Sequence, residues 1–161
     1  MTRKAQPEKA VFELLSGRHL MLAAAESCTG GLIAERMTNL PGASNVFVGG
    51  VVSYTNSVKA NVLGVPIDIL EEYGAVSEPV ARAMAEGVRK VTGADLGVSV
   101  TGVAGPASDE RNNPVGTVYL ALATPDGTSC TLCRFGDQSR ERIRSLAADS
   151  AFDMVRQYLE K

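Results

Sequence analysis

Residues 20–31 read Leu20-Met21-Leu22-Ala23-Ala24-Ala25-Glu26-Ser27-Cys28-Thr29-Gly30-Gly31. An apolar run gives way to hydroxyls, a thiol and two glycines. The next residues place Leu32, Ile33, Arg36 and Met37 at helical spacing before a Pro41-Gly42 turn. The stretch predicts a short buried strand over 20–26, a tight turn, and a helix over 30–39. A strand that ends in small polar residues and turns into a helix gathers backbone N–H groups and hydroxyls at one point, which suits an anion or an oxyanion.

The flanking segments repeat the alternation. Upstream, residues 7–17 open on Pro7, place Val11, Leu14 and Leu15 three and four apart, and close at Gly17, as a helix does. Downstream, residues 46–54 are β-branched and aromatic around Gly49-Gly50, a strand with a bulge or a close backbone approach. Asn56 begins a short helix. Ser77 is placed to cap a long one whose apolar positions, Val80, Ala83, Met84, Val88 and Val91, end at Gly93. Residues 95–101 form another apolar strand, followed by the loop Thr101-Gly102-Val103-Ala104-Gly105-Pro106. Pro125-Asp126-Gly127 joins two β-rich runs, 115–124 and 128–135, as a hairpin. Residues 139–160 return to a period near 3.6 through Ile143, Leu146, Ala147, Phe152, Val155 and Leu159. The expected fold is α/β, a three-layer α/β/α domain with a mixed sheet. Ala107 to Asn113 is the most loop-like stretch and the expected mobile one.

With 161 residues, 45% of them hydrophobic, the chain can bury one core, so one domain is expected over residues 1–161. Sixteen basic and eighteen acidic residues are interspersed, for a net charge of −2. That balance lacks the basic footprint of a nucleic-acid or anionic-membrane partner. Arg3 and Lys4 precede the run Leu20–Ala25, but six residues are too few for a secretory core and no run has the length of a membrane span. Three cysteines, an odd number, do not suggest a disulfide framework. A cytoplasmic protein is expected.

The inventory removes several chemistries. One histidine, His19, and no His/Cys pair spacing argue against a protein-built zinc site; His19, at a helix end, reads as solvated. Cys130 and Cys133 match C-x-x-C but lie in a predicted strand, where residues three apart point to opposite faces, one into the core and one outward. Neither a P-loop, a dinucleotide fingerprint, a G-x-S-x-G elbow nor an S-x-x-K motif is present. What remains is Ser27 and Thr29 after the first strand, Ser44 in PGAS, Tyr54 and Lys59 in YTNSVK, and Thr101.

Lys59 is one of five lysines and follows an apolar strand by one helical turn, so its stem can fold back toward the strand ends. To serve as a base near pH 7 its pKa must fall by roughly 3 from about 10.4, at a cost of about 4 kcal/mol. Burial and a nearby cation, Arg140 or Arg144, are the expected causes. A serine after a strand also serves as a helix cap, and a lysine opening a helix as a solvated charge. The residues alone thus leave a polar pocket at strand ends, where such folds bind ligands.

The blocks AESCTGGLIAERMT, PGASNVFVGGVVSYTNSVK, LGV, GAVSEPVARAMAEG, TGVAGP and PVGTVY, in this order and spacing, resemble the CinA C-terminal domain family over about residues 7–158. The resemblance implies an amidohydrolase that converts nicotinamide mononucleotide and water to nicotinic acid mononucleotide and ammonia in pyridine nucleotide salvage. It further implies no metal or organic cofactor, a small-molecule nucleotide as substrate, and a homodimer. By motif, Ser27 is its nucleophile and Lys59 its activating base. Tyr54 would assist; N–H groups around Cys28, Thr29 and Gly30 would hold the oxyanion; and Ser44, Thr101 and Arg144 or Arg140 would bind substrate. The competing reading is a non-catalytic nucleotide-binding or protein-interaction module of the same competence-associated family.

Overall fold

The computed structural model describes residues 6–161, and Arg3 and Lys4 lie outside them. Helix α1 (Pro7–Arg18) buries Val11 and Leu15 and carries Pro7 in its first turn. It runs through Gly17 rather than closing there. His19 ends it, exposed, at φ 54°, with its N–H reaching back to the carbonyls of Leu15 and Ser16. A left-handed residue in this role is usually glycine or asparagine, so the position of Gly17 misled by two residues.

Strand β1 (Leu22–Glu26) is buried at every position, because strands flank it on both sides and helices cover both faces. Gly30 (φ 59°) and Gly31 (φ 106°) then make the turn into α2 (Leu32–Thr38), taking left-handed values that a side chain disfavours. A short 3₁₀ turn (Ala43–Asn45) leads to β2 (Phe47–Val52), whose register on β1 slips by one residue, so the expected bulge is present. Gly50 supplies the expected close approach: a Cβ there would stand 2.7 Å from the Ala24 carbonyl oxygen.

Helix α3 (Asn56–Asn61) follows, capped by the Thr55 hydroxyl, and then α4 (Ile67–Tyr73), which the sequence pattern did not reveal. Helix α5 (Glu78–Thr92) begins after Ser77 as expected, yet the Ser77 side chain does not cap it; its hydroxyl donates to the Gly74 carbonyl at 2.7 Å. Strands β3 (Leu96–Gly102), β4 (Thr117–Thr124) and β5 (Gly127–Arg134) precede α6 (Arg140–Leu159), whose first turn is capped by Ser139. Thr124 pairs with Gly127, so the hairpin loop is Pro125-Asp126 and the glycine opens β5.

The sheet order is β2-β1-β3-β4-β5, with β2, β1 and β3 parallel and β4 and β5 antiparallel. Helices α1, α2 and α6 cover one face and α5 the other, giving the expected three-layer α/β/α arrangement with a mixed sheet. Arg36 ties the first helical layer together. It pairs with Glu8 of α1 at 2.7 Å and Asp149 of α6 at 2.8 Å, and lies 5.0 Å over the Phe152 ring. Cys130 and Cys133 point to opposite faces as expected, but both are half-buried, since helices cover both faces. No helix among the described residues is long and apolar enough to cross a membrane.

Helix α5 rests directly on β3. A Cβ on Gly97 would meet the Ala85 carbonyl oxygen at 2.4 Å and the Arg89 backbone nitrogen at 3.1 Å. Gly97→Ala is therefore expected to force the helix off the strand and cost about 1–3 kcal/mol of stability. Urea unfolding should show a lower midpoint at an unchanged slope; an unchanged midpoint would mean that the layer has slack there.

Candidate active site

The three parallel strands end on one side of the molecule. From β1 the chain passes through α2 on one face to β2, then returns through α5 on the other face to β3, on the far side of β1. Such a reversal opens a crevice at the carboxyl ends of adjacent parallel strands, the place where open α/β sheets hold ligands. A cavity of about 320 Å³ occupies it, walled by Ser27, Cys28, Tyr54, Lys59, Thr101 and Arg140, with Ala75–Val76, Gly102–Gly105, Ala107 and Asp109 completing the lining.

Ser27 sits at the end of β1, its backbone N–H still bound to Val100 of β3 at 3.0 Å and its carbonyl accepting from Gly30 N–H at 3.1 Å. Its hydroxyl lies 2.9 Å from Lys59 Nζ. The lysine is 1% exposed, on the last turn of α3, and its amine also donates to the carbonyls of Ser53 (2.6 Å) and Tyr54 (3.5 Å). Burial lowers the Lys59 pKa from 10.5 to about 8. Neither Arg140 nor Arg144 contributes to that shift, contrary to the expectation of a neighbouring cation. At pH 7 about a tenth of the molecules therefore carry a neutral amine. A neutral amine has two N–H donors and one lone pair, a set that two carbonyls and one hydroxyl can satisfy.

The thiol next door is not a competitor. Burial pushes the Cys28 pKa up to about 12, against the opposing pull of a backbone hydrogen bond, Arg144 and Lys59, so the sulfur stays protonated.

The other expected residues separate into four groups. Tyr54 and Arg140 meet at the rim, where Arg140 Nη2 donates to the Tyr54 hydroxyl at 2.8 Å and Nη1 to the Gly105 carbonyl at 2.6 Å. Thr101 is buried in the wall with its hydroxyl donating to the Ala75 carbonyl at 2.8 Å. Thr29, Gly30 and Arg144 belong to the turn behind Ser27 rather than to the cavity lining. There the Gly30 N–H is already used by Ser27, and the Arg144 guanidinium holds the Cys28 and Thr29 carbonyls at 3.0 Å each. Ser44 stands apart, exposed in the 3₁₀ turn that leads into β2, at the opposite end of that strand from the cavity.

Glu26 is the functional neighbour that sequence reasoning missed. It is 1% exposed, and its carboxylate accepts from the Thr29 hydroxyl (2.6 Å) and from the backbone N–H groups of Ile33 (2.9 Å) and Ala34 (3.1 Å). An acidic residue closing an otherwise apolar strand was the available signal. The loop at 107–113, expected to be mobile, is anchored instead. Asp109 accepts from the N–H groups of Arg111 and Asn113, and the Arg111 guanidinium donates to the Glu71 and Glu72 carbonyls that end α4.

A family model described as the CinA C-terminal domain matches residues 4–159. The chain belongs to the CinA C-terminal domain family. A CinA-like protein of Desulfotalea psychrophila is 50% identical over 149 residues, which are 92% of this chain and 36% of that protein. The chain spans 36–37% of the length of the first curated relatives it matches. Among solved structures, the competence/damage inducible protein CihA of Agrobacterium tumefaciens superposes with a TM-score of 0.91 at 36% identity, covering 100% of this chain and 99% of that one. A CinA superfamily protein of Klebsiella pneumoniae gives 0.94 at 29% identity, covering 98% and 99%.

The buried lysine of this CinA-family site carries a signature in folding. Between about pH 8 and 10.5 the unfolded chain keeps the Lys59 proton that the folded chain has released, so this group makes stability rise with pH across that window, by up to about 3 kcal/mol. The rise should be missing from Lys59→Met in urea unfolding at pH 8 and pH 10. Parallel behaviour of the two proteins would place the lysine pKa near its ordinary value.

Proposed function

We propose that this chain is a nicotinamide-nucleotide amidohydrolase, hydrolysing nicotinamide mononucleotide to nicotinic acid mononucleotide and ammonia, with Ser27 as nucleophile and Lys59 as base. The observation that carries the reading is the 2.9 Å contact between the Ser27 hydroxyl and a buried amine of lowered pKa in a cleft at strand ends. That pairing is the activated-nucleophile arrangement of acyl-transfer chemistry. The choice of substrate rests on the family motifs.

In this reading neutral Lys59 takes the Ser27 proton as Oγ attacks the carboxamide carbon. The oxyanion forms at the turn after Ser27, where Cys28 lines the cavity. Lys59, now an ammonium, returns the proton to the departing nitrogen, and ammonia leaves an acyl-serine. Water then enters, gives a proton to Lys59, and attacks the acyl carbon; the acid departs as Ser27 regains its proton. Arg140, rather than Arg144, is the phosphate ligand: it lines the cavity, and among the described residues only two of its five N–H donors are engaged by protein acceptors. Tyr54 holds that guanidinium at the rim. Pyridine nucleotide salvage is the setting this reaction would serve.

Ammonia release from nicotinamide mononucleotide, with a chelator present, tests the reading. Ser27→Ala and Lys59→Ala should each lose at least about 10³-fold in kcat, and the double variant should be no worse than either, because the two residues act as a unit. Additive losses would separate them, and an inactive wild type would favour the binding module. Since the base form is the active one, kcat/KM should climb with pH and level off above about 8, falling about tenfold per pH unit below. Arg140→Ala should raise KM about 10- to 100-fold, the range of a hydrogen bond to a charged group, with a smaller effect on kcat.

A further inference from the structure

We infer that Arg144 is a positioning residue: from outside the cavity it holds the Ser27–Gly30 turn in the shape that presents the nucleophile. The inference rests on the serine/lysine reading and adds a residue to it. Arg144 lies one helical turn beyond Arg140 on α6, but its side chain passes behind the turn instead of into the cleft. Its Nε donates to the Cys28 carbonyl and its Nη2 to the Thr29 carbonyl, each at 3.0 Å. These are its only hydrogen bonds, and it joins no ion pair, among the described residues.

Two successive carbonyls taken by one rigid fork fix two peptide planes at once. A third plane is fixed by the Gly30 N–H on the Ser27 carbonyl at 3.1 Å. The Cys28 N–H is thereby aimed, since a planar trans peptide points N–H and C=O in opposite directions. Gly30 is matched to this contact. A Cβ there would stand 3.3 Å from Arg144 Nη2, so the guanidinium packs where a side chain would otherwise crowd it. Behind the turn Arg144 opens onto a separate hollow of about 460 Å³ between α1, α2 and α6, which does not include Ser27 or Lys59. The guanidinium is thus not part of the lining of the cleft.

The experiment compares wild type, Arg144→Met and Arg144→Lys in two assays, with Ser27→Ala as control and circular dichroism to verify folding. In the first, kcat and KM are measured on nicotinamide mononucleotide across pH. Arg144→Met should lose about 100-fold in kcat, the scale of a small misplacement of reacting groups, with KM within about threefold of wild type. The apparent pKa near 8 should stay, because Lys59 is held by Ser53 and Tyr54 rather than by Arg144. Arg144→Lys should recover only part of the loss, having one nitrogen for two carbonyls. In the second, phenylmethylsulfonyl fluoride labels Ser27: the Oγ–S bond forms, the S–F bond breaks, fluoride leaves and Lys59 takes the serine proton. Intact mass reports the rate, which should fall in Arg144→Met as kcat does.

A rise in KM above about tenfold with kcat retained would make Arg144 a substrate ligand and overturn the inference, on the same scale expected for a lost charged contact. Labelling at the wild-type rate in Arg144→Met would overturn it as well. Wild type that labels at Ser27 but does not release ammonia from the nucleotide would defeat the proposed substrate and leave the positioning role standing. Absence of labelling in wild type would overturn both.

Discussion

The Glu26 carboxylate, buried at the end of β1, receives the Thr29 hydroxyl and the first free N–H groups of α2, while its own carbonyl receives the N–H of Ser53 at 2.7 Å. A negative group at a helix N-terminus gains up to about 2 kcal/mol in partly buried settings and here satisfies two backbone donors of the first turn. The rest of the site hangs from this junction. The side chain sets where α2 departs. The main chain sets where Ser53 lies, and the Ser53 carbonyl in turn holds the Lys59 amine. Adjacent residues of a strand face opposite sides, so Ser27 turns toward the cleft because Glu26 turns toward the helix.

Lys59 shows how this scaffold manages a costly group. An amine enclosed by protein is least costly when neutral, yet two carbonyls lie where only N–H groups can satisfy them. The balance leaves a lysine that titrates close to neutrality. Cys28, one residue from the serine, is driven by the same burial in the opposite functional direction, because burial disfavours the thiolate as it disfavours the ammonium. One environment thus lowers the pKa of an amine and raises that of a thiol.

What could be read from the chain beforehand follows from which interactions are local. The strand, turn and helix over 20–39 were legible because apolar runs and paired glycines are local signals, and the motif order placed Ser27 and Lys59 in one site. Helix α4 escaped because it is seven residues long and buries only Leu70, too little for a period. Ser77 occupies the expected position without making the expected bond; its hydroxyl donates to the Gly74 carbonyl. Ser44 illustrates the limit most sharply. Spacing cannot say at which end of a strand a residue emerges, and Ser44 emerges at the far one. Arg140 and Arg144, four apart on a helix, share a face, and only the three-dimensional position of the turn decides that one meets the cleft and the other the backbone behind it.

The strand order also bears on when the site comes into being. β4 and β5 are joined by two residues and need almost no chain closure to pair, whereas Leu22 of β1 finds Leu96 of β3 only after everything between them has been gathered. Closure entropy grows with loop length, and pairings distant in sequence are the slow ones, so the antiparallel half of the sheet is favoured early and the parallel half late. Ser27 and Lys59 both belong to the late half. On this order a folding chain gains its hairpin before it gains the contact between Ser27 and Lys59, which waits on the parallel half of the sheet.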